Sequence, residues 1–148
     1  TNKASVPVIF AVQPGNSGYY KKRQMIQSYV SSGGNTASNC STAAVYILLQ
    51  NQLFTDGQPV SQSSTDAPYD LFAAPSGSVG TVTTTFAIDD NNLLTWHNAT
   101  FVNGQAYFCQ SNGQIFALFN GLYYQGYPPN CEIVSLFHIP GRKANIYT

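Results

Sequence analysis

The sequence predicts an all-β fold, an antiparallel two-sheet β-sandwich of jelly-roll-like form with short strands and long loops. Apolar and β-branched runs recur along the chain, separated by Gly, Pro, Asn and Asp residues that favour turns. Asn-Gly pairs at 103–104, 112–113 and 120–121 can each form the centre of a tight turn, because both residues tolerate positive φ. Extended helical periodicity is missing, so an antiparallel sandwich is the expected architecture.

Length and composition indicate one domain, residues 1–148. A chain of 148 residues is long enough to bury roughly two thirds of its unfolded surface in a single core. Neither a linker nor a repeat divides it. The longest apolar run, at 43–49, is far shorter than the about 20 residues of a membrane-spanning helix, so the sequence predicts no membrane insertion.

Three strands are predicted before residue 51. The run at 5–12 is apolar and β-branched, and Pro7 near its start is typical of a first or edge strand. The segment 18–30 is predicted as a strand, although its apolar residues would also suit one face of a helix. Gly and small polar residues make 31–39 a loop, and 42–50 is a buried strand or a short helix.

The second half of the chain is predicted to be a series of short strands joined by turns. Residues 57–77 carry three prolines and read as an irregular excursion with one brief strand at 69–72. The run at 78–88 alternates in the β manner, and "DDNN" at 89–92 is a turn. Further strand-like runs lie at 93–97, 100–110, 113–119, 121–124 and 132–139.

Charged residues are scarce and balanced. They make up 8% of the chain, with six basic and six acidic residues, whereas an average soluble domain has about 25%. Ser, Thr, Asn and Gln make up about a third of the chain, so its solubility rests on neutral polar groups. A neutral chain gains little from releasing counterions of nucleic acid or from attraction to anionic lipid. We expect neither as a partner.

Cys109 and Cys131 are predicted to form a disulfide. They lie 22 residues apart, each attached to a strand-like run, and a bridge between neighbouring strands can close that separation. Two free buried thiols are the alternative. Cys40 is left over, and three states stay open for it: free, bonded to another chain, or bonded in place of one of the other two.

Two triplets are acceptors for N-glycosylation, Asn98-Ala99-Thr100 and Asn39-Cys40-Ser41. The second is the weaker prediction, because a buried or bridged cysteine would block access to it. No leader peptide is visible at the N-terminus, so secretion is argued from other features. Scarce lysine, the acceptor triplets and the predicted disulfide together favour a secreted or cell-surface protein.

Residues that would support catalysis or metal binding are few. A glycosidase would need two of the six carboxylates, and the sequence singles out no pair. His97 and His138 are the only histidines, whereas a metal site usually needs three or more ligands at set spacing. We therefore predict no catalytic residue, no metal and no cofactor. The carboxylates are Asp56, Asp66, Asp70, Asp89, Asp90 and Glu132.

Aromatic residues are the best candidates for a binding site. The chain is 14% aromatic with ten tyrosines, and several rings stand where strands meet turns. A ring held flat at a loop can stack on the apolar face of a sugar while Asn, Gln and Asp reach the hydroxyls. The alternative is packing into the core, because Tyr is a good strand former. Candidate ligand-binding residues are Trp96, Tyr123, Tyr124 and Tyr127, the last three within "NGLYYQGYPPN" at 120–130.

Most of the chain resembles a known family. "VPVIFAVQ", "KKRQ" some ten residues on, "LLTWHNATFVNGQAYFCQSNGQIFALF" and "NCEIVSLF" are similar to a family of uncharacterised secreted fungal domains, found in cell-surface proteins that often carry Ser/Thr-rich stretches. The resemblance implies a fungal extracellular setting and supports the pairing of Cys109 with Cys131. It brings no activity and no catalytic residues.

Three hypotheses of function follow. The first is a non-catalytic module that binds cell-wall polysaccharide or another glycan through loop aromatics. The second is a structural protein that associates with itself as an oligomer or fibre, through strand edges or through Cys40. The third, with the least support, is an enzyme that acts on polysaccharide through two carboxylates.

Overall fold

The computed structural model describes residues 7–15, 28–55, 58–60, 68–72, 85–122 and 124–140, and it confirms the all-β antiparallel fold. Three short 3-10 turns accompany the strands, at Ser32–Gly34, Cys40–Thr42 and Val102–Gly104. The strands of this part of the chain are β1 (Pro7–Pro14), β2 (Ser28–Val30), β3 (Thr36–Ala37), β4 (Tyr46–Leu49), β5 (Gln52–Thr55), β6 (Gln58–Pro59), β7 (Tyr69–Leu71), β8 (Phe86–Ile88), β9 (Leu94–Trp96), β10 (Tyr107–Ser111), β11 (Gln114–Leu118) and β12 (Glu132–Pro140).

Two antiparallel sheets hold these strands, and they differ greatly in size. The large sheet is strongly curled and has the order β6-β5-β4-β1-β12-β10-β11-β7, with β2 and β3 branching from β1. The small sheet is the β8–β9 hairpin. A sheet that curls on itself can bury one face in its own interior, so a second large sheet is not needed to cover the core.

The centre of the large sheet is the long pairing of β1 with β12, which runs from Val8↔Pro140 to Pro14↔Val134. Side chains alternate between the two faces of a strand. Phe10 and Leu136 lie in the main core, whereas Ile9 and Phe137 belong to a smaller apolar cluster on the other face.

The position of β1 settles one alternative left by the sequence. Pro7 is the first residue of that strand, as one interpretation held, but β1 is not at an edge, because it pairs with β12 on one side and with β2 and β4 on the other. A proline is tolerated there because a strand's first residue need not donate to the ladder.

Four rings form an aromatic core beneath the small sheet. Trp96 stacks on Phe86 with ring centroids 4.3 Å apart, and it meets Phe101 and Phe119 edge to face at 5.3 and 5.4 Å. Each of these rings is 4% exposed or less. Edge-to-face and offset pairs are the preferred arrangements of aromatic rings, and they lock the small sheet to the end of β11.

Three strands meet in a triangular junction beside this core. β10 pairs with β12 from Gln110↔Glu132 to Phe108↔Val134, and beyond that point β12 takes a different partner at Leu93↔Phe137. The third corner joins the end of β9 to the start of β10, through His97↔Gln105. Each corner is antiparallel, and a gap remains between the three strands.

The Asn-Gly pairs do not all form the turns that the sequence predicted. Asn112-Gly113, with φ of 51° and 78°, closes the hairpin between β10 and β11, as expected. Asn103-Gly104 also has positive φ at both residues, 62° and 70°, as expected for a tight turn, but this is the 3-10 turn Val102–Gly104 and not a hairpin. In the third pair Gly121 has positive φ whereas Asn120 does not, and the pair opens a loop. The strand predicted at 121–124 is also wrong for residues 121, 122 and 124, because hydrogen bonds to a tyrosine side chain replace strand pairing there.

Several predicted elements fall partly outside the described residues. The segment 18–30 is described only at 28–30, where it is β2, and 78–88 only at 85–88, where it contains β8. The brief strand at 69–72 is confirmed as β7, and 89–92 is confirmed as a turn. Among the described residues, none belongs to a helix with the length and apolar character that crossing a membrane requires.

Candidate functional site

A disulfide and a hydrogen bond form a frame that holds the end of the predicted aromatic loop, residues 120–130. Cys109 and Cys131 form a disulfide, as expected, with Cα atoms 5.4 Å apart. Cys109 is fully buried in β10, so the bond ties the end of the loop to a central strand. The hydroxyl of Ser111, at the end of the same strand, donates to the carbonyl oxygen of Pro129.

A second set of bonds holds the start of this loop. The hydroxyl of Tyr127 donates to the carbonyl oxygen of Gly121 at 2.6 Å and accepts from the amide of Asn120 at 3.0 Å. One side chain therefore satisfies two backbone groups where β11 ends, a task that a turn's own backbone usually performs. The loop is fixed at both ends, and only its middle is left to reach solvent.

Three tyrosines and one phenylalanine form a connected set of rings at this loop, which we call the tyrosine surface: Tyr69, Phe116, Tyr124 and Tyr127. Ring centroids are 4.9 Å apart for Tyr124 and Tyr127, 6.1 Å for Tyr127 and Tyr69, and 5.7 Å for Tyr69 and Phe116. Tyr124 is the outermost, 40% exposed, and the other three are half-buried. The half-buried rings support the exposed one.

Gly126 sets the position of the exposed ring. A Cβ atom at this glycine would lie 2.6 Å from the ring of Tyr124, which is closer than two carbon atoms can approach. The ring therefore lies directly against the backbone of residue 126, and no other residue type would leave it there. The ring of Tyr127 also packs against the ring of Tyr124. The ring of Tyr124 is therefore oriented before any ligand binds.

Burial changes the acidity of Tyr127. Partial burial raises the pKa of its hydroxyl above the ordinary value of 10.0, the hydrogen bond from Asn120 acts in the opposite direction, and Tyr124 adds a smaller increase. The neutral hydroxyl is thus the favoured form, as the bond it donates to Gly121 requires.

Trp96, another predicted ligand-binding residue, is not part of this surface in the structure. Trp96 is 1% exposed, its ring covered by the three phenylalanines of the aromatic core, so that ring packs rather than presents a face to solvent. Tyr123 lies outside the described residues, as does the side chain of Cys40. The prediction for Tyr123 and the alternatives for Cys40 stay as the sequence left them.

Both glycosylation triplets form the same local structure. In one, the side-chain oxygen of Asn98 accepts from the amide and the hydroxyl of Thr100 at 2.9 and 2.7 Å. In the other, Asn39 accepts in the same way from Ser41, at 2.9 Å for both bonds. Asn39 is exposed and Asn98 is half-buried. Modification of either asparagine stays a prediction.

The titratable groups show no metal-binding arrangement within the ranges that the structure describes, where no three His, Cys, Asp or Glu side chains converge. His97 is exposed, whereas partial burial lowers the pKa of His138 below its ordinary 6.5. The carboxylate of Asp70 accepts a hydrogen bond from the backbone amide of the next residue, Leu71, at 2.9 Å. Asp56 and Asp66 lie outside the described residues.

The triangular junction holds a groove that the sequence did not predict. It has a volume of about 230 Å³, and we call it the junction groove. Its lining combines buried apolar residues with half-buried or exposed polar ones. The lining residues are Asp89, Asn91, Leu93, Leu94, Thr95, Gln105, Ala106, Tyr107, Phe108, Val134 and Ser135.

The lengths of the three strands in the structure reflect the junction. β12 spans nine residues, whereas β10 spans five and β9 three. Along one side β12 pairs first with β10 and then with Leu93, and this change of partner opens a gap. The sequence does not show which residues line that gap, because the register of pairing decides it.

Comparison with known proteins gives one match. A family model described as "Domain of unknown function (DUF7908)" matches residues 3–141. No curated protein and no solved structure is similar enough to the chain to count as a match.

Proposed function

Because the chain belongs to this family of domains of unknown function, we propose its role from its own residues: a non-catalytic module that binds a neutral polysaccharide through the tyrosine surface. The observation that supports this most is the exposed ring of Tyr124, held against Gly126 and Tyr127 at the tip of a loop fixed at both ends.

Preorganisation is the physical advantage of this loop. A flexible loop loses conformational freedom when it binds, at a cost of about 0.5–1.5 kcal/mol for each side chain that becomes ordered. The disulfide at Cys131 and the two hydrogen bonds of Tyr127 order the loop during folding, so this ordering does not have to occur on binding. A sugar ring that stacks on Tyr124 therefore meets a surface already in its bound form.

The composition of the chain supports an uncharged ligand. With 8% charged residues and no net charge, the protein offers little attraction to sulfated, phosphorylated or strongly acidic polymers. Amide side chains are abundant near the surface: Asn120 is half-buried and Gln125 is exposed. Such groups both donate and accept, as the hydroxyls of a neutral glycan require.

We further propose that the protein works outside the cell, at a fungal cell surface, where cell-wall polysaccharide is the ligand at hand. The disulfide supports an oxidising compartment, and the two acceptor triplets support passage through a glycosylating one. The fungal setting rests on the resemblance of sequence alone.

The first experiment is a pull-down of the purified protein on insoluble glucan, chitin and mannan, after light scattering has established its mass in solution. We expect a monomer retained on at least one polymer. Tyr124→Ala should reduce retention about tenfold, because it removes one stacked ring worth about 1.5 kcal/mol. The same change should leave the free energy of unfolding within about 0.5 kcal/mol of the wild type, since the ring is largely exposed.

Leu49→Ala is the matched control. Leu49 is 44% exposed, close to the 40% of Tyr124, but it lies on β4, far from the loop in the sheet order. Its loss should not change retention. Equal retention of the wild type and Tyr124→Ala would contradict the proposed site. A large assembly indifferent to all three polymers would contradict the binding module and favour the self-associating protein.

A further inference from the structure

We propose that the junction groove binds a single neutral sugar residue, at a site separate from the tyrosine surface. The sequence did not predict this site, and its existence does not depend on the function proposed for the loop. The groove follows from the way in which three strands meet.

Three strands cannot all be antiparallel to one another in one continuous sheet, because two strands that both oppose a third must run parallel. β9, β10 and β12 nevertheless pair antiparallel at every corner of the junction. Each strand therefore has to turn between its two corners, and cross-strand pairing fails in the middle. The gap is a fixed consequence of the connectivity and not a packing fault.

The middle of each side of the triangle is occupied by a polar residue: Thr95 on β9, Tyr107 on β10 and Ser135 on β12. All three pair on their outer sides, with β8, β11 and β1 respectively. None has a register partner across the gap within the described ranges. The hydroxyls of Thr95 and Ser135 donate on the same outer sides, to the carbonyl oxygens of Ala87 and Gly15 at 3.2 and 2.7 Å. Their oxygens can still accept from a ligand, and the backbone polar groups of neighbouring residues that face the gap need water or a ligand as partner.

Asp89 is the one charged residue among the described residues that line the groove. Its Oδ1 accepts the amides of Asn91 and Leu93 at 2.9 and 3.0 Å, which fixes the direction of the carboxylate. Its second oxygen has no partner among the residues that the structure describes. A fixed carboxylate oxygen beside the groove is a strong acceptor for ligand hydroxyls.

The floor of the groove suits the apolar face of a sugar ring. Leu94, Ala106, Phe108 and Val134 line it, and each is 4% exposed or less. A pyranose has one face made of C–H groups and a rim of hydroxyls, so it matches an apolar floor surrounded by polar sides. Gln105 and Asn91 add amides that donate and accept on opposite sides of the rim.

Charge and size limit the ligand further. Among the described residues, the lining contains one carboxylate and no Lys, Arg or His, so these residues offer an anion no counter-charge and Asp89 would repel it. The volume of about 230 Å³ equals that of about eight liquid water molecules and lies below the roughly 300–1,000 Å³ of drug-sized sites. One sugar residue fits this description, either free or at the end of a chain.

The test is an NMR titration of the isotope-labelled protein with the methyl glycosides of glucose, mannose and N-acetylglucosamine. Amide signals of Thr95, Gln105 and Tyr107 should shift and saturate with one of them, at sugar concentrations of about 20 mM or below, as a millimolar Kd requires. A reducing trisaccharide capped at its non-reducing end tests whether the groove binds the end of a sugar chain. If it does, the cap should abolish the shifts.

Asp89→Asn and Asp90→Asn form a matched pair of variants. The first keeps an oxygen for the two amides of the turn but removes the charge, so it should raise Kd about tenfold, the usual effect of losing a hydrogen bond to a charged group. Asp90 is exposed and does not line the groove, so its change should leave Kd within about twofold. Gln105→Ala provides a second variant should Asp89→Asn destabilise the turn.

The outcomes separate the two sites. Shifts confined to the groove signals that persist in Tyr124→Ala support the inference whatever happens to polysaccharide retention. Retention on a polymer with no shift at Thr95, Gln105 or Tyr107 would overturn it while leaving the tyrosine surface intact. Equal Kd values for Asp89→Asn and Asp90→Asn would also overturn it.

Discussion

The aromatic core and the tyrosine surface are two clusters of four rings with similar spacing and opposite environments. Centroids of neighbouring rings lie 4.3–5.4 Å apart in the core and 4.9–6.1 Å apart at the surface. The core consists of Trp96 and three phenylalanines, all nearly inaccessible, whereas Tyr124 at the surface is 40% exposed.

The difference between the clusters follows from one oxygen atom. A buried phenol needs a hydrogen-bond partner, because an unpaired hydroxyl costs free energy in an apolar environment. Tyr127 meets that need at the protein surface, by bonding to the backbone at 120–121. Phenylalanine carries no such requirement and fills the core.

The largest effect is expected at the centre of the core. Trp96→Ala should lower the free energy of unfolding by about 3–5 kcal/mol, because it removes a buried ring and leaves a cavity. Urea denaturation followed by circular dichroism measures it. Phe119→Leu, a smaller truncation in the same cluster, provides a graded control. A loss below that of Tyr124→Ala would contradict the assignment of Trp96 to the core.

An intermediate effect is expected from the disulfide, which constrains only one of the two clusters. Cys109→Ala combined with Cys131→Ala should cost about 3 kcal/mol, the chain-entropy value for a loop of this length. Hydrogen exchange should quicken at the Asn120 amide, which depends on the loop, and change less at Ala106, whose amide binds Trp96 in the core. Equal loss of protection at both amides would show that the clusters are not independent.

The smallest effect is expected from the hydroxyl alone. Tyr127→Phe should cost about 1 kcal/mol, since it removes the bonds to Asn120 and Gly121 while keeping the ring. Polysaccharide retention should fall with it, because the loop loses its preorganisation although Tyr124 is still present. Retention unchanged in Tyr127→Phe would mean that the frame around the loop does not contribute to binding.

The pH dependence of that effect has a definite sign. The pKa of Tyr127 is raised in the folded protein, so the unfolded chain loses this proton first as pH rises. The stability that the hydroxyl contributes is complete below pH 10.0, the unfolded value, and falls above it. The difference in unfolding free energy between wild type and Tyr127→Phe should therefore shrink as the pH rises above 10.0. A constant difference would contradict the role given to the hydroxyl.

The sequence predicted the fold class and the covalent frame better than it predicted the positions of individual rings. Alternating β-branched runs and Asn112-Gly113 have direct physical causes within a few residues, and the two cysteines each adjoin a strand-like run. Trp96 was grouped with the loop tyrosines because it stands where a strand meets a turn. Its burial depends on Phe101 and Phe119, which tertiary packing brings to it.

The junction groove was beyond prediction for a different reason. Its lining combines three segments whose registers are set by contacts across the whole sheet, and a shift of one residue would turn Thr95 or Tyr107 to the opposite face. Local patterns predict which runs become strands, but they do not predict where three strands meet.

The frame around the aromatic loop has a consequence for how the family could diversify. The bonds that hold the loop come from Cys109, Cys131, Ser111 and backbone atoms, and, apart from Tyr127, none comes from the residues at its tip. Substitutions at 124–126 can therefore accumulate without loss of the sheet beneath. If the loop binds a ligand as proposed, exchange of a few residues would change what it recognises, and a directed library at those positions would draw on the same freedom.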